Sequence, residues 1–203
     1  MISAIILAAG QSRRMGAQKL LLPFGGKTAI AHIAEQVLAG SVDRTIVVVS
    51  EDCGPVAAAL SGKPVAFVTN SDPKGDMLSS VRRGLAAVPQ KCQAVLVVLG
   101  DQPNITSLLI AQVVEAWRGR GAERTQGAIV VPACNGRRGH PILFSAGYRQ
   151  EVLGGYDGVG LRGLLRAHDR EVIEVPVVEE LLLRDMDSPG DYQRELGKFQ
   201  LPE

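Results

Sequence analysis

Residues 7–21 read LAAGQSRRMGAQKLL, an apolar stretch running straight into a loop that holds Gly10, Gly16, Arg13, Arg14 and Lys19. Glycines at such points let a backbone turn with its N–H groups inward, and Arg14 and Lys19 can add charge-assisted hydrogen bonds to phosphate oxygens. The loop suits a polyphosphate; a solvated basic loop is the plainer alternative. GDQP at 100–103 sets a carboxylate, Asp101, directly after an apolar run. A carboxylate beside a polyphosphate is suited to Mg²⁺, which binds through one or two protein carboxylates plus substrate oxygens. An Asx turn closing a strand is the competing role. DMDSPGD at 185–191 supplies Asp187, which precedes a helix start and is not needed for its cap. It is a second metal-ligand candidate, with a helix-dipole role as the alternative.

Two further segments carry chemistry. GRRGHPILF at 136–144 combines a turn, Arg137, Arg138 and His140 before Pro141, a set that can touch an anionic substrate or simply stabilise the turn. NSDPKGDMLSSVRRGL at 70–85 is a loop leading into a helix, with Ser79 and Ser80 in its first turn. Their hydroxyls can cap the helix or hydrogen-bond a nucleobase or ribose. Two phosphate signatures are excluded. GGKT at 25–28 mimics a P-loop ending, but the required earlier glycine position holds Leu21. GVGLRG at 158–163 matches a dinucleotide fingerprint literally, yet no buried strand precedes it. His32 and His168 lack metal-ligand spacing, and Cys53, Cys92 and Cys134 lie too far apart for a zinc site or disulfide framework.

These residues need elements to position them. Short β-branched runs recur at 3–8, 44–50, 64–69, 93–100 and 127–132, each apolar enough to be buried on both faces. Helical stripes fall between them: Ile30, Ile33, Ala34, Val37 and Leu38, then Leu78, Val81, Leu85 and Val88. Alternating strands and helices imply right-handed crossovers and a mostly parallel, three-layer α/β sheet with helices on both faces. In such a sheet ligands bind beyond the carboxyl ends of the strands, where Gly10 and Asp101 both fall. After residue 133 the rhythm loosens; a strand at 141–144, a short helix and the stretch 171–178 are expected to form an edge and a lid. Ser188 at the N-cap, Pro189 at N1 and Asp191 at N3 open a final helix.

Composition bounds the function. The 203 residues are expected to form one domain, 1–203, and their hydrophobic share of 46% with only 4% aromatic points to a core of Ala, Val, Leu and Ile. Twenty-two basic against twenty-one acidic residues leave no broad positive field, so nucleic acid is not an expected partner. No apolar run approaches the roughly 18 residues of a spanning helix, and the opening MISAIILAAG lacks a basic n-region. A cytoplasmic protein without a membrane partner is expected.

Taken together, the sequence resembles the molybdopterin nucleotidyltransferases of molybdenum cofactor maturation, specifically the cytidylyltransferase branch. The resemblance is carried by LAAGQSRRMG followed by Lys19, GDMLSSVRRGL, GDQP, RRGHPILF, GLRGLL and DMDSPGDY, collinear over most of the chain. It implies a Rossmann-like sheet of the nucleotide-diphospho-sugar transferase, glycosyltransferase-A-like type. The loop from Leu7 through Ala8, Ala9, Gly10, Ser12, Arg14 and Gly16 to Lys19 would hold the NTP, with Arg14, Lys19 and Asp101 catalytic. Asp101 and Asp187 would hold Mg²⁺, Ser79 and Ser80 match the base-side segment, and His140, Pro141 and Arg162 fall in the molybdopterin-side segments. Guanylyl-transferring relatives carry Gly-Gly where this chain has Ala9-Gly10, so the expected donor is CTP. Gly160-Leu161-Arg162 replaces the usual Gly-Ala-Arg. The implied reaction moves CMP from CTP to the terminal phosphate of molybdopterin and releases pyrophosphate, with a molybdoenzyme as eventual recipient. Transfer to a sugar or alcohol phosphate, guanylyl transfer, and a nucleotide-binding chaperone of the cofactor without turnover stand as alternatives.

Overall fold

A computed structural model describes residues 1–10, 18–72, 75–119, 127–178, 186 and 188–199. Its strands are β1 (Ile2–Ala8), β2 (Pro23–Phe24), β3 (Lys27–Thr28), β4 (Arg44–Val49), β5 (Val65–Thr69), β6 (Ala94–Leu99), β7 (Ile129–Cys134), β8 (Arg137–Arg138), β9 (Ile142–Ser145) and β10 (Val172–Pro176). The helices are α1 (Ala29–Ala39), α2 (Gly54–Ala59), α3 (Met77–Ala87), α4 (Ser107–Arg118), α5 (Arg149–Gly154), α6 (Leu161–Ala167) and α7 (Pro189–Phe199).

The main sheet runs β10-β7-β9-β6-β1-β4-β5, with β8 paired to β7. β6, β1, β4 and β5 are mutually parallel. The first three are buried almost throughout, as their continuous β-branched runs require, but β5 is the sheet's end strand and leaves Phe67 and Thr69 exposed, so the expectation of burial on both faces fails there. Alternation along β1 sends Ile6 toward α1 and α4, where it meets Ile30, Ile33, Val37, Leu109 and Val113. Ile5 goes the other way, to Leu78, Val81 and Leu85 of α3 and Leu164 of α6. α3 crosses so close to β1 that a Cβ on Gly84 would lie 2.5 Å from Ile5 Cγ2. The result is the three-layer, mostly parallel sheet expected from the sequence.

A second expectation fails. The apolar stretch after Pro141 is not an edge: β9 lies inside the sheet, antiparallel to both β6 and β7. Ile142, Leu143, Phe144 and Ser145 are all buried, so this strand needs cover on both faces, which an edge over solvent cannot supply. β8 and the turn at Asn135–Gly136, both with positive φ, send the chain back toward it. Only the later stretch forms an edge, as β10 parallel to β7.

Local signals explain the helix starts. Thr28 Oγ1 accepts from Ala31 N at 3.3 Å to open α1, and Thr106 Oγ1 accepts from Leu109 N at 3.2 Å to open α4. At α7 the Ser188 and Asp191 side chains and backbone amides bond reciprocally, a capping box at the expected place. GGKT is a hairpin turn: Gly25 and Gly26 take positive φ between β2 and β3, as a tight two-residue turn demands. No helix among the described residues is long and apolar enough to cross a membrane.

Candidate active site

The site grows from the carboxyl ends of β1 and β6. Gly100 N donates to Leu7 O at 3.0 Å, and a Cβ on Gly100 would stand 2.6 Å from that oxygen. Glycine therefore lets the end of β6 close onto β1, and the next residue, Asp101, emerges into the crevice. Ala8 packs on the α1 side of the sheet, whereas Leu7 and Ala9 pack on the α3 side. Gly10 is exposed.

Lys19 opens a 3₁₀ turn, Lys19–Leu21, anchored by the buried Leu20. Its Nζ donates to Asp101 Oδ2 at 2.6 Å, a pair formed across 82 residues of sequence with both side chains largely shielded, 12% and 23% exposed. Such shielding makes the ammonium and carboxylate act on one another, and on any ligand entering between them, far more strongly than surface charges do.

The C-terminal segment is locked to the same loop. Met186 N donates to Asp101 O at 3.0 Å, and the Met186 side chain is buried with Phe24 and Ala29. On α7, Tyr192 Oη donates to Pro23 O at 2.6 Å and buried Glu195 accepts from Asn104 Nδ2. Asp187 lies outside the described residues, as do Ser12, Arg14 and Gly16 of the opening loop.

On the α3 side, the structure reveals a residue that motif reading passes over. Buried Asn70, just after β5, donates from Nδ2 to Ser79 Oγ and to Ser80 Oγ, each at 2.9 Å, while its Oδ1 accepts from Asp72 N at 3.3 Å. Ser79 also donates to Asp76 O at 2.8 Å. The cap of α3 is the Asp76 carboxylate, which accepts from Ser79 N at 2.8 Å, not either serine. Both hydroxyls thus hold the loop to the helix, and Ser80 is buried. The only sequence signal for Asn70 was its position directly after a β-branched run.

β9 brings the remaining candidates. Ile142 pairs with Val97, so continuing that antiparallel register sets His140 abreast of Leu99, next to Gly100 and Asp101. Its Nε2 is buried and has no hydrogen-bond partner among the described residues. Burial pushes the imidazole down from 6.5 to about 4, the Asp101 charge opposing this and the Arg162 charge adding to it. The ring is therefore neutral at neutral pH. Pro141 is buried, and Arg162 is exposed on the first turn of α6 with no ion pair among the described residues. Arg138 does not join them. Glu174 Oε1 and Asp169 Oδ1 each hold it at 2.7 Å, making it a strut between β8 and β10. GVGLRG also has a structural explanation: Gly160 opens α6 at positive φ, and a Cβ on Gly163 would lie 2.3 Å from the Tyr156 ring. Arg82 fixes the preceding loop through Val152 O, Gly155 O and Asp157.

Residues 4–172 match the MobA-like NTP transferase domain. The chain belongs to this family. It is 30% identical over 190 residues to nicotine blue oxidoreductase of Paenarthrobacter nicotinovorans, covering 92% of each chain. It is 28% identical over 192 residues to molybdenum cofactor cytidylyltransferase of Escherichia coli K12, covering 94% of this chain and 93% of the relative. Among solved structures, a nucleotidyl transferase from Methanothermobacter is similar with a TM-score of 0.83 and 28% identity over 98% of this chain and 97% of that one. Rv0371c of Mycobacterium tuberculosis gives a TM-score of 0.84 and 25% identity, covering 97% of each chain. The MobA-like chain thus has the nucleotide-diphospho-sugar transferase fold, and its Lys19–Asp101 pair sits at the carboxyl edge of the strands where that architecture receives ligands.

Proposed function

We propose that this MobA-like nucleotidyltransferase moves CMP from CTP to the terminal phosphate of molybdopterin. The carrying observation is the shielded Lys19–Asp101 pair, a cation and a carboxylate held side by side where β1 and β6 end. The similarity to the Escherichia coli cytidylyltransferase, over nearly the whole chain, supports the substrate pair.

In this reading the triphosphate lies along Leu7, Ala8, Ala9, Gly10, Ser12, Arg14, Gly16 and Lys19, with Ser79 and Ser80 on the base side. Ala9 faces the same side of the sheet as α3, so its methyl narrows the base pocket and favours a pyrimidine. Asp101 and Asp187 would hold a divalent cation, the Asp101 carboxylate standing beside Lys19 where β6 ends. Mg²⁺ bound there would neutralise phosphate charge. An acceptor phosphate oxygen forms a new bond to the α-phosphorus in line with the α–β bridge, that bridge breaks, and its electron pair leaves with pyrophosphate. The nucleophile is already largely anionic near pH 7, so no protein base is required. Lys19 and Arg14 act by position and charge. His140, Pro141 and Arg162 face the acceptor. The setting is cytoplasmic, with a molybdoenzyme taking the product.

Pyrophosphate release tests this. CTP with molybdopterin should turn over; turnover with a sugar phosphate or with GTP instead would redirect the acceptor or donor. The 30% identity to nicotine blue oxidoreductase favours a second reading, a redox activity on the same fold. Redox turnover of nicotine blue that Lys19→Ala leaves unaffected would favour it over nucleotidyl transfer.

A further inference from the structure

Glu195 is a buried acidic side chain to which the transfer chemistry gives no task. It stands on α7, 1% exposed, and accepts from Asn104 Nδ2. Taking a carboxylate out of water is costly, and a well-packed apolar side chain in its place is often the more stable choice. Docking of α7 has other means. Tyr192 and Leu196, four residues apart on one face, pack on the cluster of Phe24, Ala29 and Met186, and Tyr192 Oη donates to Pro23 O at 2.6 Å. Glu195 shares that face, three residues after Tyr192, but its partner lies elsewhere, on the loop between β6 and α4.

That loop carries Asp101 and is held almost residue by residue. Gly100 N donates to Leu7 O and Met186 N to Asp101 O, each at 3.0 Å, while the Asp101 carboxylate meets Lys19 Nζ at 2.6 Å. Ile105 N returns to Gln102 O at 3.2 Å, so 102–105 is a tight turn, and its Pro103 carbonyl accepts from the His32 ring of α1. Ser107 N ends on Gln36 Oε1 of α1 at 2.8 Å. Glu195 adds the tie at Asn104, the residue after Pro103. Successive residues held from two different helices leave the turn no axis to pivot on. An ionised carboxylate only accepts, so it also selects one face of the Asn104 amide. Mg²⁺ demands near-ideal octahedral geometry, which makes its affinity sensitive to small displacements of a carboxylate. We propose that Glu195 is a positioning residue for the cation site: through Asn104 it fixes the turn that sets the Asp101 carboxylate, and the last helix thereby tunes how tightly the cation is held. This deepens the functional reading above and rests on it for the cation at Asp101.

The test reads metal binding rather than turnover. Mn²⁺ alone is titrated into the full chain and the free ion is followed by electron paramagnetic resonance, the site being assigned by the loss of binding in Asp101→Asn. Glu195→Ala should weaken Mn²⁺ about tenfold, the scale of one charge-assisted hydrogen bond. Glu195→Gln, whose side-chain oxygen still accepts from Asn104, should regain most of that loss. Asn104→Ala breaks the same bond without opening a hole beneath α7, so it decides the matter even if Glu195→Ala does not fold. It should weaken Mn²⁺ equally, and the double variant should lose no more than either single one. Tyr192→Phe removes a different tie of α7 and should lower the melting temperature with Mn²⁺ affinity unchanged. Wild-type Mn²⁺ affinity in Asn104→Ala, or equal weakening in Tyr192→Phe, would overturn the inference, as would Mn²⁺ binding that Asp101→Asn leaves intact. Pyrophosphate release from CTP with molybdopterin is scored separately: its absence would sink the functional reading, while the Mn²⁺ titrations still decide what Glu195 does.

Discussion

The two halves of the crevice are built on opposite plans. On the side proposed for the nucleotide, polar groups at the ends of parallel strands are already paired: Asp101 with Lys19, and Asn70 with Ser79 and Ser80. On the side proposed for the acceptor, an antiparallel strand and a short helix deliver His140, whose Nε2 has no hydrogen-bond partner among the described residues, and Arg162, which has no ion pair among them. Paired groups keep their geometry without ligand, at the cost of being displaced when ligand arrives. Unpaired groups hold an unmet interaction that only a ligand supplies. The difference implies a preformed nucleotide side and an acceptor side completed by what it binds.

The largest effect should come from the paired side. Lys19→Ala should lower kcat for pyrophosphate release by on the order of 10²-fold or more, because it removes a preorganised cation facing developing charge. The variant should still fold, with a lowered melting temperature because a side chain only 12% exposed is lost and Asp101 is left unpaired; normal turnover in this variant would break the contrast. Next comes Asn70→Ala, which removes the donor to the buried Ser80 hydroxyl and one of the two partners of Ser79. A loss of about 1–3 kcal/mol in denaturant unfolding is expected, together with a raised KM for CTP and an unchanged KM for the acceptor. An equal rise in both would mean that the halves are not separate.

Ala9→Gly should sharpen the comparison from the base end, moving the kcat/KM ratio of CTP over GTP toward parity by a few-fold to about tenfold, as one methyl in a pocket allows. An unchanged ratio would take Ala9 out of the base pocket. A further effect, on stability alone, belongs to His140 and pH. Its folded-state value lies at about 4, below the ordinary 6.5, so the unfolded chain binds more protons between those values. Stability should therefore fall as pH drops through that window, and the fall should be shallower in His140→Gln, read from chemical unfolding at a series of pH values.

Much of this fold is legible in the sequence. Strands covered on both faces need unbroken apolar runs, so β1, β4, β6 and β7 announce themselves, whereas the similar run of β5 ends the sheet half-exposed. Asp101 follows because a polar residue after such a run must leave the sheet at its carboxyl end. Ser188 and Asp191 likewise marked α7 through their hydrogen-bonding chemistry alone. The interior place of β9 was not legible: four residues after His-Pro look the same at an edge as at the centre, and the choice depends on pairing partners nearly fifty residues away. Arg138 misled for a similar reason, since its carboxylate partners Asp169 and Glu174 are distant in sequence. Asn70 was hidden because a polar residue in a loop reads as a turn former until its two donors are seen to end on one helix. The partners of buried Glu195 and of Met186 depend on how α7 docks, which no local pattern encodes.

The central claim is that Asp101 and Lys19 hold a cation-assisted triphosphate, and Asp101→Asn tests it most directly. Pyrophosphate release from CTP is measured across Mg²⁺ concentration for the wild type, Asp101→Asn and Asp187→Asn, with melting temperatures alongside. The account predicts that both variants stay folded, lose most turnover, and recover part of it at high Mg²⁺ or with Mn²⁺, because an amide still offers one oxygen. A wild-type Mg²⁺ profile in Asp101→Asn would contradict it.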